Sequence, residues 1–105
     1  MIYNKLVRDK IPQIIRKDHR ECESEILSLD AYKEALKDKL IEETQELKEA
    51  TNHDEMIEEL ADIYEVLETI LMQEAIDKRM VDKKRIQKNI DKGAFEDRIL
   101  LKEVK

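Results

Sequence analysis

Four acids stand out for their spacing. Glu43-x-x-Glu46 is followed, after twelve intervening residues, by Glu59-x-x-Asp62. Acids three or four apart on a helix share a face, and a group of facing carboxylates is a ligand set for a hard divalent cation such as Mg²⁺, or Mn²⁺ in its place. Spacing alone selects little in a chain with 26 acids, since Glu46/Glu49, Glu55/Glu58, Asp62/Glu65 and Glu65/Glu68 share it. Helical position makes the choice. At about 100° per residue with Leu36 as zero, Leu40 and Leu47 lie within about 40° on one side, and Tyr32 and Ala50 within about 40° on the other. Glu43 falls at about −20°, inside that apolar stripe, with Glu46 and Lys39 on its flank. An ionised carboxylate there loses hydration unless something pairs with it.

The next helix repeats the pattern. Leu60, Met56, Leu67, Ile63, Leu71 and Tyr64 define its stripe, which widens through Ile70 to Val66. Glu59 falls between the directions of Val66 and Ile70, Asp62 lies at the edge, and Glu58 and Glu65 point to solvent. If the chain turns midway between Asn52 and His53, residues equidistant from that point face each other: Glu46 opposite Glu59, and Glu43 opposite Asp62. Four such acids need a bound cation or raised pKa values. The plain structural alternative pairs Glu43 and Glu59 with Lys39 or with Lys and Arg of other helices. A carboxylate-bridged di-iron site is excluded, because Arg16 and Ala50 stand three residues before His19 and His53 where Glu would be needed.

The elements that must position these acids read as helices. The chain has 105 residues, 44% charged and 41% apolar, with one Gly, one Pro and no Trp, which predicts an all-α single domain over residues 1–105. One glycine excludes Gly-rich phosphate loops, and one cysteine, Cys22, excludes an internal disulfide framework and a Cys-based zinc site. With no membrane-length apolar run and no signal-peptide pattern, the expectation is a soluble cytoplasmic protein that does not enter a membrane. The net charge of −6 disfavours nucleic acid as a partner.

Residues 1–9 read as extended, followed by a short helix with Pro12 in its first turn. Residues 21–27 have weak strand character. Ser28 or Asp30 caps a long helix to about Thr51, and Asn52-x-x-Glu55 has capping-box spacing for a second, from His53 to about Ile76. The short connection predicts an antiparallel hairpin. A basic helix then stops at Gly93, and the tail 95–104, with Ile99-Leu100-Leu101, has the pattern of a terminal strand. The result is a helical bundle built on the hairpin, with a minor β element from the termini as a secondary expectation. The second helix's apolar arc is wider than one hairpin can cover, which predicts a homodimer or homotetramer.

The acid motif resembles the signature of the all-α nucleoside triphosphate pyrophosphohydrolases, the superfamily of MazG, dimeric dUTPases and phosphoribosyl-ATP pyrophosphohydrolase. The opening Tyr3-Asn4-Lys5-Leu6-Val7-Arg8-Asp9-Lys10-Ile11-Pro12 is similar to that of the small phosphoribosyl-ATP pyrophosphohydrolase-like, MazG-related house-cleaning proteins. The late Lys88-x-x-x-Lys92-Gly93-Ala94-Phe95 also fits, with Lys92 and Ala94 where Arg and a second Gly are more common. Lys supplies charge there without a bidentate fork.

The resemblance implies a MazG-like fold and hydrolysis of an α–β phosphoanhydride to a nucleoside monophosphate and pyrophosphate. Mg²⁺ would sit on Glu43, Glu46, Glu59 and Asp62, with Glu46 or Glu42 as the proton acceptor from water. Phosphate-binding bases would be Lys5, Arg8 and Lys10, with Arg85, Lys88 and Lys92 on one face of the basic helix. Asp9 is expected to cap the first helix or to hold Arg8. Tyr32 and Tyr64 read as core, and His19, His53 and Cys22 as incidental. The alternatives are phosphoribosyl-ATP pyrophosphohydrolysis, a catalytically silent Mg²⁺–nucleotide-binding module and a plain helical assembly protein.

Overall fold

The computed structural model describes residues 3–105. It contains four helices in the order α1 (Ile11–Lys17), α2 (Leu29–Glu49), α3 (His53–Gln73) and α4 (Lys78–Lys92), and no strand among the described residues. The all-helical class expected from composition is what the chain adopts. By packing it divides into two compact units, Met1–Glu74 and Ala75–Lys105. No helix among the described residues is long and apolar enough to cross a membrane.

In the first unit α2 packs against α3, each 21 residues long. Ser28 starts α2, its Oγ accepting from the Ala31 N–H at 3.3 Å. The connection of residues 50–52 is short enough to force an antiparallel hairpin. Asn52 begins α3 by accepting from the Glu55 N–H at 2.9 Å. The capping box differs from the usual reciprocal form. Glu55 reaches back to Thr51, accepting from its N–H at 2.9 Å and its hydroxyl at 3.2 Å, rather than to Asn52 itself. Together these bonds pin the turn and so set which residues of α2 and α3 lie at equal height.

The hairpin core is small. Leu36 and Val66 are its buried apolar residues, and Glu43 is buried with them. On α3 the packed edge is the Glu59–Val66–Ile70 side of the apolar arc. The expected centre of that arc is largely uncovered: Met56, Leu60, Leu67 and Tyr64 are all exposed. The expectation that Tyr64 is core is therefore corrected, while Tyr32 on α2 is half-buried. One partner helix covers only one edge of a wide arc.

α1 carries Pro12 in its first turn, where the missing N–H costs no helical hydrogen bond. Its N-cap, Lys10, has no side-chain cap bond, and Asp9 neither caps it nor holds Arg8, which pairs elsewhere. Of the segment 1–9, residues 1 and 2 lie outside the described ones, and 3–8 carry neither helix nor strand.

α3 ends three residues before the expected Ile76. Ala75 turns into the left-handed region at φ 53°, and Asp77 then opens α4 by accepting from the Arg79 N–H at 2.9 Å. In the second unit α4 stops at Gly93, whose φ of 83° suits a residue without Cβ. The β element is not formed, because neither 21–27 nor the tail meets another extended segment to share backbone hydrogen bonds. Phe95, Ile99, Leu100, Leu101 and Val104 of the tail are exposed.

Candidate metal centre

Glu43 lies two turns beyond Leu36 on α2, and this spacing points its carboxylate into the hairpin. At 5% exposure it is as deeply buried as the core leucine. The capped turn brings α3's acids to it. One oxygen each of Glu43, Glu59 and Asp62 lie within 4.8 Å of one another, and so do one each of Glu42, Glu43 and Glu46. Glu43 belongs to both groups. Glu46 also neighbours Glu59. The facing pairs expected from the hairpin register are thus brought together.

Charge compensation is incomplete. Lys39 Nζ stands 3.4 Å from Glu43 Oε1 and 3.3 Å from Glu42 Oε2. Lys5 Nζ approaches Glu42 Oε1 at 3.3 Å, and Arg8 Nη2 donates to Asp62 Oδ1 at 2.7 Å. Against these bases stand five carboxylates, and the Oε2 atoms of Glu43 and Glu59 are buried without a hydrogen-bond partner among the described residues. The plain alternative of a Lys39–Glu43 pair is therefore realised on one oxygen and leaves the other unsatisfied.

The titration of the acids follows. Burial, then the adjacent Glu46 carboxylate, raises the Glu43 pKa above the ordinary carboxylate range, with Lys39 opposing. Burial, then Glu59, raises that of Glu46. Hydrogen bonding to Asp62 raises that of Arg8. Both upward carboxyl shifts come from lost hydration together with a neighbouring carboxylate, at the buried Glu43 most fully.

The bases separate into distinct groups. Lys5 and Arg8 lie on the acids themselves, a pairing the sequence reading did not anticipate. Its only signal was the presence of two bases in a segment too short to reach far. Lys10 is exposed and forms no ion pair among the described residues. Arg85, Lys88 and Lys92 are exposed on α4 in the second unit. Lys39, placed on the stripe's flank by periodicity, is part of the cluster.

An all-helical chain with a two-helix carboxylate cluster is the class that fold and site define. Comparison with protein-family models, curated proteins and solved structures finds no match.

Proposed function

We propose that the protein is a Mg²⁺-dependent nucleotide pyrophosphohydrolase, cleaving the α–β phosphoanhydride of a nucleoside triphosphate, one of non-standard type, to monophosphate and pyrophosphate. The observation that supports this best is the buried Oε2 of Glu43, without a hydrogen-bond partner among the described residues, within a carboxylate set drawn from two helices. The residues fit a divalent cation chemically. All the available donors are carboxylate oxygens, the kind a hard cation takes, and the surplus negative charge gives a cation its driving force.

Glu43, Glu46, Glu59 and Asp62 would hold Mg²⁺, with Mn²⁺ as a substitute. Bound there, the ion supplies Lewis-acid stabilisation to a phosphoanhydride under attack by water. Glu46 is the better candidate to accept the water's proton. It is solvent-accessible, it has no ion pair among the described residues, and its raised pKa makes it more basic than an ordinary carboxylate. Glu42 is the weaker candidate, since each of its oxygens faces a lysine. Lys5, Arg8 and Lys10 are the proposed phosphate-binding bases, because an acid cluster alone repels a polyphosphate. The protein acts in the cytoplasm as a homodimer or homotetramer in this proposal, self-association in either form being supported by the exposed apolar face of α3.

The test is pyrophosphate release from a panel of standard and modified nucleoside triphosphates and phosphoribosyl-ATP, with and without Mg²⁺. Metal-dependent release from a nucleoside triphosphate is the expected result. Release from phosphoribosyl-ATP alone would reassign the substrate, and tight Mg²⁺–nucleotide binding without turnover would replace the enzyme by a binding module. Neither binding nor turnover would leave a helical assembly protein.

A further inference from the structure

We infer that Arg8 is a displaceable counter-ion of Asp62, so that a divalent cation binding the acid cluster releases the segment of residues 3–10 from the hairpin. The inference rests on the proposed cation site and concerns how that site is regulated.

The segment has few anchors. Its ion pairs to the hairpin are Arg8 with Asp62 at 2.7 Å and Lys5 with Glu42 at 3.3 Å. Only Leu6 among its described side chains is even half-buried, and α1, which follows it, buries no residue. Both acidic anchors belong to the carboxylate cluster. The strap is therefore tied to the hairpin through Asp62, a proposed cation ligand, and through Glu42, which lies beside the ligands Glu43 and Glu46.

The pairing is also of a kind that opens. The side chains of Arg8 and Asp62 are 58% and 36% exposed, and ion pairs so open to water contribute little to stability. Water replaces the guanidinium at small cost. Mg²⁺ by contrast sits about 2.0–2.1 Å from its oxygens and requires near-octahedral placement. A guanidinium at hydrogen-bond distance from the same carboxylate repels that ion and contends for its lone pairs. Released, Arg8 keeps its permanent positive charge on a freed segment, where it is available to an anionic group arriving after the cation.

Competition has a measurable size. An ion pair closed about nine-tenths of the time weakens the cation's apparent affinity about tenfold. Removing any positive charge nearby also favours a cation, so a control is needed. Lys10, in the same segment but without an ion pair among the described residues, provides it.

The experiment measures Mn²⁺ binding by calorimetry or electron paramagnetic resonance to the full chain and to its Arg8→Gln and Lys10→Gln variants. Trypsin cleavage after Arg8 in the unaltered chain is followed with and without Mg²⁺. Arg8→Gln should tighten Mn²⁺ about tenfold, clearly more than Lys10→Gln does, and Mg²⁺ should speed cleavage after Arg8. Equal tightening in both variants, weaker binding by Arg8→Gln, or unchanged cleavage in the presence of bound metal would each overturn the displacement while leaving the cation site standing. Failure of all three proteins to bind Mn²⁺ would remove the cation site itself, and the displacement with it.

Discussion

Lys39 Nζ stands 3.4 Å from Oε1 of Glu43, one helical turn along α2, while Oε2 of the same carboxylate is buried without a donor among the described residues. The lysine is shared with Glu42, so it cannot neutralise either acid alone. A carboxylate retained only to support the fold would be expected to satisfy both oxygens, because an unpaired buried polar atom costs stability. Glu43 is half-satisfied, at the point where two groups of acids meet.

Glu43→Gln separates the cost of this arrangement from its use. The amide keeps the shape, removes the charge and adds an N–H that can donate to a neighbouring carboxylate, while Lys39 retains Glu42. In metal-free buffer the variant should be about 1–2 kcal/mol more stable than the parent chain in urea unfolding. With Mg²⁺ at about 100 times its Kd, the parent should gain roughly 2.7 kcal/mol and the variant almost none. A variant less stable than its parent without metal would show that the Glu43 charge supports the fold.

The pH dependence follows from the direction of each shift. Glu43 and Glu46 have raised pKa values, so the folded chain holds their protons more tightly than the unfolded chain does. Their destabilisation is complete above the folded-state pKa and fades as pH falls from there to the unfolded value. Glu55, lowered by its bonds from Thr51, and Asp77, lowered by Arg79, act in the opposite sense. Their contribution is present above the unfolded pKa and is lost as pH falls through the folded one. Thermal midpoints in metal-free buffer between about pH 4 and pH 8 should therefore peak on the acid side of neutrality. Added Mg²⁺ should raise the neutral side most, by binding the ionised carboxylates. A midpoint that climbs steadily to pH 8 without metal would contradict the assignment of strain to Glu43 and Glu46.

Much of this site was legible because helical period and turn chemistry are local. Leu36 and Glu43 share a direction by simple rotation, and Asn52 and Glu55 carry the signal that fixes the turn and hence the register. The place of Arg8 was not legible. Nothing in its sequence neighbourhood specifies Asp62, since the pairing joins a segment without regular structure to a helix 54 residues away. The uncovered side of α3 was misjudged for a related reason. Periodicity shows which residues are apolar but not which edge of a wide arc the partner helix will choose, so Tyr64 read as core and is exposed. The tail's strand pattern failed because a strand needs a partner, and alternation along one segment says nothing about the presence of another.

Met56, Leu60, Tyr64 and Leu67 make the strongest case for association. They recur at four, four and three residues along α3, which places them in one stripe, and each is at least 39% exposed. Ile41 adds exposed apolar surface on α2. Burying such a stripe against a second copy is the usual solution for a helix whose arc exceeds what one neighbour covers, and about 800 Å² per partner suffices for a stable pair. Leu60→Glu combined with Leu67→Glu places two like charges in that stripe without touching Leu36, Val66 or the acid cluster. Light scattering at micromolar concentration should give an oligomer for the parent chain and a monomer for the double variant, with helical circular dichroism retained. A parent chain already of monomeric mass would refute the association, and an unchanged oligomer in the double variant would move the interface to another surface.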